Sequence, residues 1–253
     1  MSTGGVAFAV WACLALAAPA GAFELLRVHN DPCARDDPHL FWPEDRARVN
    51  VSRLPDPLRG LADEAMQRWN LSLSRFRFGV GSGEPCTRDG VATLEVTGSP
   101  CGLAGFGDAL AITRSVWERN GRLVDADVAF NANSFLVQDN AAFLQVAMHE
   151  LGHVLGLDHS DACGADGSGT LMRARLAGPR LEAPQADDVA GAEFIYPRGT
   201  GGDGTVPDGA NSCAVAAPAA AAWPAWPLAG AAALLAARAC RRQLTRRPAS
   251  SRH

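Results

Sequence analysis

The chain has 253 residues, 47% of them hydrophobic and 20% charged, with a formal net charge of −4. That length can bury a real core in one medium domain or two small ones, and the composition excludes wholesale disorder and collagen-like repeats. So mild a charge offers no whole-chain case for nucleic-acid binding.

The charge is uneven, and the two ends account for it. Residues 6–18 carry no charge and lead through Pro19 to Ala20-Gly21-Ala22, an A-x-A cleavage pattern. Residues 1–22 therefore read as a secretory signal peptide, although Met1 to Gly5 lacks the usual basic residue. At the other end, residues 199–213 are Gly- and Asp-rich and read as a flexible linker. Residues 214–237 carry no charge, and six arginines from Arg238 to Arg252 follow with no acid among them. Segment 214–253 fits a C-terminal membrane anchor with its tail inside. It also resembles bacterial C-terminal sorting tails, in which a residue such as Cys213 marks the processing point. Either way the region between, 23–198, is expected outside the cytoplasm, extracellular or at the cell surface. It holds 17 of the 23 arginines and 25 of the 27 acids, a formal charge of −8, which argues further against a nucleic-acid partner.

Within that region, Leu58 to Asn70 reads as an amphipathic helix carrying Trp69, and Phe76-Arg77-Phe78 as a strand. Leu110 to Thr113 and Gly121 to Asn131 read as two strands joined by a turn at Asn120-Gly121. Four cysteines, Cys33, Cys86, Cys101 and Cys163, predict two disulfides in an exported domain. Three pairings are open, with Cys86–Cys101 favoured because a strand pair could close that loop.

The richest stretch runs from His149 to His159. Ala141 to Met148 is strong helix material with apolar residues at helical spacing. On that helix His149 and His153, four apart, share one face a turn apart and can grip one metal ion. Glu150 stands beside the first imidazole, placed as a general base. Gly156 reaches positive φ without penalty, so the helix can break there and the chain can return with His159 as third ligand. Three histidines leave a fourth position open, the catalytic rather than the structural pattern for zinc.

The run His149-Glu150-x-x-His153-x-x-Gly156-x-x-His159 resembles the signature of the metzincin zinc endopeptidases, and Ser160 after it resembles their matrixin branch. The resemblance implies an α+β fold: a twisted mixed β-sheet with an active-site helix and a C-terminal helix. It implies one catalytic Zn2+, a polypeptide substrate and a monomer. Thr170-Leu171-Met172 is similar to the Met-turn beneath the zinc in that clan. Leu181 to Tyr196 resembles the matrixin C-terminal helix, whose Asp pair, here Asp187 and Asp188, ties to the Met-turn. The two strands resemble the edge strand and its neighbour, so Ala111, Ile112 and Thr113 would take an extended substrate by β-augmentation. Arginines between Arg173 and Arg180 would either line the pocket beside the metal or lie solvated on the surface.

The chain also departs from the family pattern. No histidine lies between His39 and His149, so no second, structural zinc is expected. Cys33 stands in Asp31-Pro32-Cys33-Ala34-Arg35, unlike the family's zinc-capping pro-region cysteine. For Ca2+ the candidates are Asp125, Asp127 and Asp139, with solvated acids the expected reading. Two other functions fit the motif: a non-catalytic surface protein with a structural zinc, and a zinc hydrolase of non-peptide amides. The intact Glu150 and the three-ligand pattern weigh against the first; only a substrate assay separates the second.

Overall fold

In a computed structural model, residues 23–197 are described. The signal peptide, linker and apolar Arg-tailed segment expected from the sequence lie outside the described residues.

Five strands form one mixed sheet: β2 (Arg46–Asn50), β3 (Arg77–Val80), β4 (Ala92–Thr97), β5 (Ala111–Trp117) and β6 (Leu123–Asn131), in the order β3-β2-β4-β6-β5. All neighbours are parallel except β5, which runs antiparallel to β6 along the sheet edge. The β5–β6 turn closes with the Gly121 N–H donating to the Glu118 carbonyl, Gly121 sitting at φ +86°. A Cβ there would strike the His39 carbonyl, so glycine meets both a backbone and a space requirement.

Two longer helices cover one face of the sheet. In α1 (Leu58–Ser72), Leu58, Ala62, Ala65, Met66 and Trp69 recur at helical spacing and are all buried. Against α1 and the sheet packs α2 (Asn140–Leu155), buried over most of its surface. Asp139 caps it, accepting from the Ala141 and Ala142 amides. The indole N–H of Trp69 donates to the Met148 carbonyl at 2.8 Å, that of Trp42 to the Val154 carbonyl at 2.7 Å, and the Tyr196 hydroxyl to the Leu155 carbonyl at 2.8 Å. Three large side chains thus clamp α2 through its own backbone.

The chain before the sheet belongs to the same core. Strand β1 (Glu24–Leu25) pairs antiparallel with β7 (Leu157–Asp158), directly after α2. Cys33 is joined to Cys163 and Cys86 to Cys101. The first bond ties the N-terminal strap to the loop beyond His159 and commits Cys33 to structure. The last helix, α3 (Ala186–Ile195), starts in a capping box between Gln185 and Asp188. Among the described residues no helix is long and apolar enough to cross a membrane.

Candidate active site

Helix α2 presents His149 and His153 one turn apart, and Gly156 ends it at φ +121°, its N–H reaching back to the Gly152 and His153 carbonyls. A Cβ on Gly156 would also sit 2.7 Å from the Leu40 carbonyl oxygen. The released chain turns and brings His159 alongside. The Nε2 of His153 lies 3.1 Å from that of His149 and 3.2 Å from that of His159. Tetrahedral zinc ligands at 2.0–2.1 Å would place nitrogens about 3.3 Å apart.

The outer nitrogens settle which form the rings take. His149 Nδ1–H donates to the Leu171 carbonyl at 2.8 Å and His153 Nδ1–H to the Leu157 carbonyl at 2.9 Å. Both Nε2 atoms therefore turn lone pairs inward, toward each other. Burial is the main cause holding both imidazoles down at about 4, so they are neutral at pH 7. Converging lone pairs with no proton between them suit a cation, and an all-imidazole set of three with an open fourth position suits zinc.

Below the histidines lies the turn at Leu171 and Met172. Its amides donate to the Asp188 carboxylate at 2.9 and 3.0 Å, and the Gln185 amide adds a third bond to the same group. Of the expected Asp pair, Asp188 makes this tie; Asp187 stands beside it in the first turn of α3. Met172 is buried, and its sulfur fills the space above Gly152, where a Cβ would collide with it.

Glu150 is 5% exposed, and its Oε2 accepts a bond of 2.6 Å from the Thr113 hydroxyl on β5. His149, His159 and Glu150 stand at one side of a cavity of about 620 Å3. Leu110, Ala111, Val146, Leu171, Leu176 and Leu181 supply much of its apolar wall. Arg173 and Arg175 line it as well, whereas Arg180 forms a two-pronged ion pair with Asp139, the cap of α2. Gln145, on the pocket wall, accepts from the Leu181 amide at 3.3 Å. The loop 173–181 is thereby held to the start of the histidine-bearing helix.

Two of the acids expected to be solvated are not, while Asp139 remains about a third exposed, at 35%. Asp125 and Asp127 are 1% and 3% exposed, on the face of β6 away from α2. Asp127 accepts from the Thr93 and Cys86 amides at 2.9 and 2.8 Å, and Asp125 from the Gly90 amide at 3.1 Å. Their acceptor capacity fastens the loop before β4 onto the sheet, and the Cys86–Cys101 bond joins that loop to the turn after β4. Asp139 is elsewhere, at the start of α2. Cys86, Cys101 and Glu95 also converge, but the two sulfurs are bonded to each other.

Sequence reading passed over Gly152, the Thr113 hydroxyl and the Arg180–Asp139 pair. A signal existed only for the first: glycine inside a helix costs about 1 kcal/mol against alanine, so its presence asks for a reason.

The family model for matrixin matches residues 64–197, more than half of the chain. The chain belongs to the matrixin family. No curated protein matches it. Matrixins are zinc metallopeptidases, and the histidine triad of this matrixin could hold the ion. The match starts inside α1, so the strap of residues 23–45 and strand β2 lie upstream of it while contributing to the same core.

Proposed function

We infer that this matrixin is an exported zinc endopeptidase that hydrolyses peptide bonds in proteins, with Glu150 as general base. One observation carries the reading: three inward-facing imidazole nitrogens sit beside a carboxylate at the side of a large, mostly apolar cavity flanked by a strand edge that is unpaired among the described residues. His149, His153 and His159 would hold the zinc, which when bound supplies a Lewis acid that acidifies water and polarises a carbonyl. The outer edge of β5 offers main-chain hydrogen bonds to an extended peptide, aligning its scissile bond over α2. A side chain of that peptide enters the cavity, where apolar walls favour a large apolar group. Glu150 takes the proton of the attacking water and passes it to the leaving amine. Asp188 and the Met172 turn hold the His149 ring in place through the Leu171 carbonyl.

Export is supported by the apolar segment 6–18 with its A-x-A pattern and by two disulfides, which persist in oxidising compartments. Anchoring through segment 214–253 belongs to the same proposal. The test uses the purified full chain: one zinc per chain by metal analysis, cleavage of a peptide library, and loss of cleavage with a chelator. Glu150→Gln should keep zinc and lower kcat by about 10²–10⁴-fold. Full cleavage by that variant would remove Glu150 from the mechanism.

A further inference from the structure

Thr113 lies on the strand expected to receive substrate through its backbone, yet its side chain points the other way, toward the histidine-bearing helix. Its Oγ1 is 2.6 Å from Glu150 Oε2 and 3.3 Å from the Glu150 carbonyl oxygen. A hydroxyl has one proton, and the shorter contact takes it. The bond engages Oε2 and leaves Oε1 free of it.

Such a bond has physical work to do. Glu150 has three rotatable side-chain bonds and is almost fully enclosed, so its carboxylate needs both a partner and a fixed direction. Thr113 can provide both. It is β-branched, which restricts its χ1, and it sits where β5 is in register with β6, opposite Val128. A stiff donor on a rigid strand is a better orienting group than a flexible one on a loop. The partners stand 37 positions apart in the sequence, the donor on the sheet and the acceptor on the helix. The contact therefore reports how the helix is docked against the substrate edge.

We propose that Thr113 is a positioning residue: its hydroxyl, bonded to Glu150 Oε2, fixes the carboxylate so that Oε1 is presented to the water. Strand β5 then serves the reaction twice, with its backbone edge toward the peptide and one side chain toward the base. The proposal rests on Glu150 being the general base.

The experiment compares full-length wild type, Thr113→Val and Thr113→Ser. Valine keeps the shape and removes the donor; serine keeps the donor. In Thr113→Val, kcat should fall about 10–100-fold, the size of effect a small misplacement produces. KM should stay within about twofold, since the lost interaction acts on the reacting geometry rather than on uniform binding. Zinc affinity should match wild type in all three, and Thr113→Ser should recover most of kcat. A second readout needs neither metal nor activity: in crystals of the metal-free proteins, wild type and Thr113→Ser should show Glu150 in one rotamer and Thr113→Val in several. The proposal is overturned by a single wild-type rotamer of Glu150 in Thr113→Val, by unchanged kcat in that variant, or by a serine variant as impaired as the valine one. Absence of cleavage by wild type would defeat the peptidase reading alone, because the rotamer comparison still decides the role of Thr113.

Discussion

Two clusters of buried titratable side chains lie on opposite sides of the sheet, and they are built on opposite principles. On the α2 side, His149 and His153 spend their outer nitrogens on backbone carbonyls, leaving inner lone pairs facing each other and His159. On the far side, Asp125 and Asp127 spend three of their four oxygens on the backbone amides of Gly90, Thr93 and Cys86. The first arrangement keeps acceptors in reserve for a cation. The second commits most of them to holding a loop to the sheet. A residue type that can bind metal becomes a ligand only where the backbone has not already claimed its lone pairs.

The largest expected effect is on the histidine side. His159→Ala removes one of three nitrogens, so zinc affinity should fall by more than about 100-fold, beyond what loss of an outer-shell partner costs. Equilibrium dialysis with metal analysis reads it. Near-stoichiometric zinc held at wild-type affinity would show that His159 is not a ligand and would dissolve the contrast.

Next comes the floor of the same cluster. Gly152→Ala puts a methyl into the space of the Met172 sulfur and near Trp69. Overpacking of this kind costs about 1–3 kcal/mol, against a helix-propensity gain of about 1 kcal/mol. The melting temperature of the metal-free chain should drop by several degrees. A rise, as for an ordinary helical glycine, would show that the sulfur yields readily.

The smallest effect concerns the acid pair. Burial, then the neighbouring Asp127 charge, pushes Asp125 up to about 7, and burial raises Asp127 too. Folded, the pair holds a proton that the unfolded chain releases above about 4. Its contribution is therefore complete below the ordinary carboxylate range and is lost as pH rises toward 7, by up to about 1.4 kcal/mol per pH unit. Asp125→Asn keeps an acceptor for the Gly90 amide and can donate to Asp127. Its melting temperature should change less than wild type between pH 5 and pH 8. Parallel pH dependences in the two proteins would mean that the pair carries no shared proton.

Much of the site was legible in the residues from His149 to His159. Spacing of four on a helix, followed by a glycine and a third histidine, is local information, and local geometry decides where those rings go. The helix boundaries near Leu58 and Ala141 were legible for the same reason. The strand expected at Leu110 to Thr113 instead runs from Ala111 to Trp117, because its length is set by pairing with β6. The acids at 125 and 127 were misjudged because alternation along a strand says which residues share a face, not whether a loop covers it.

By itself the sequence determined the three-histidine constellation, the break at Gly156 and the family to which the chain belongs, since each depends on residues a few positions apart. Only the tertiary structure decided that Cys33 pairs with Cys163 across 130 residues, that Thr113 meets Glu150, and that Asp188 rather than Asp187 holds the Met172 turn. Those contacts exist because the sheet, α2 and α3 pack into one core, and a bond between elements distant in sequence leaves no periodic trace in either of them.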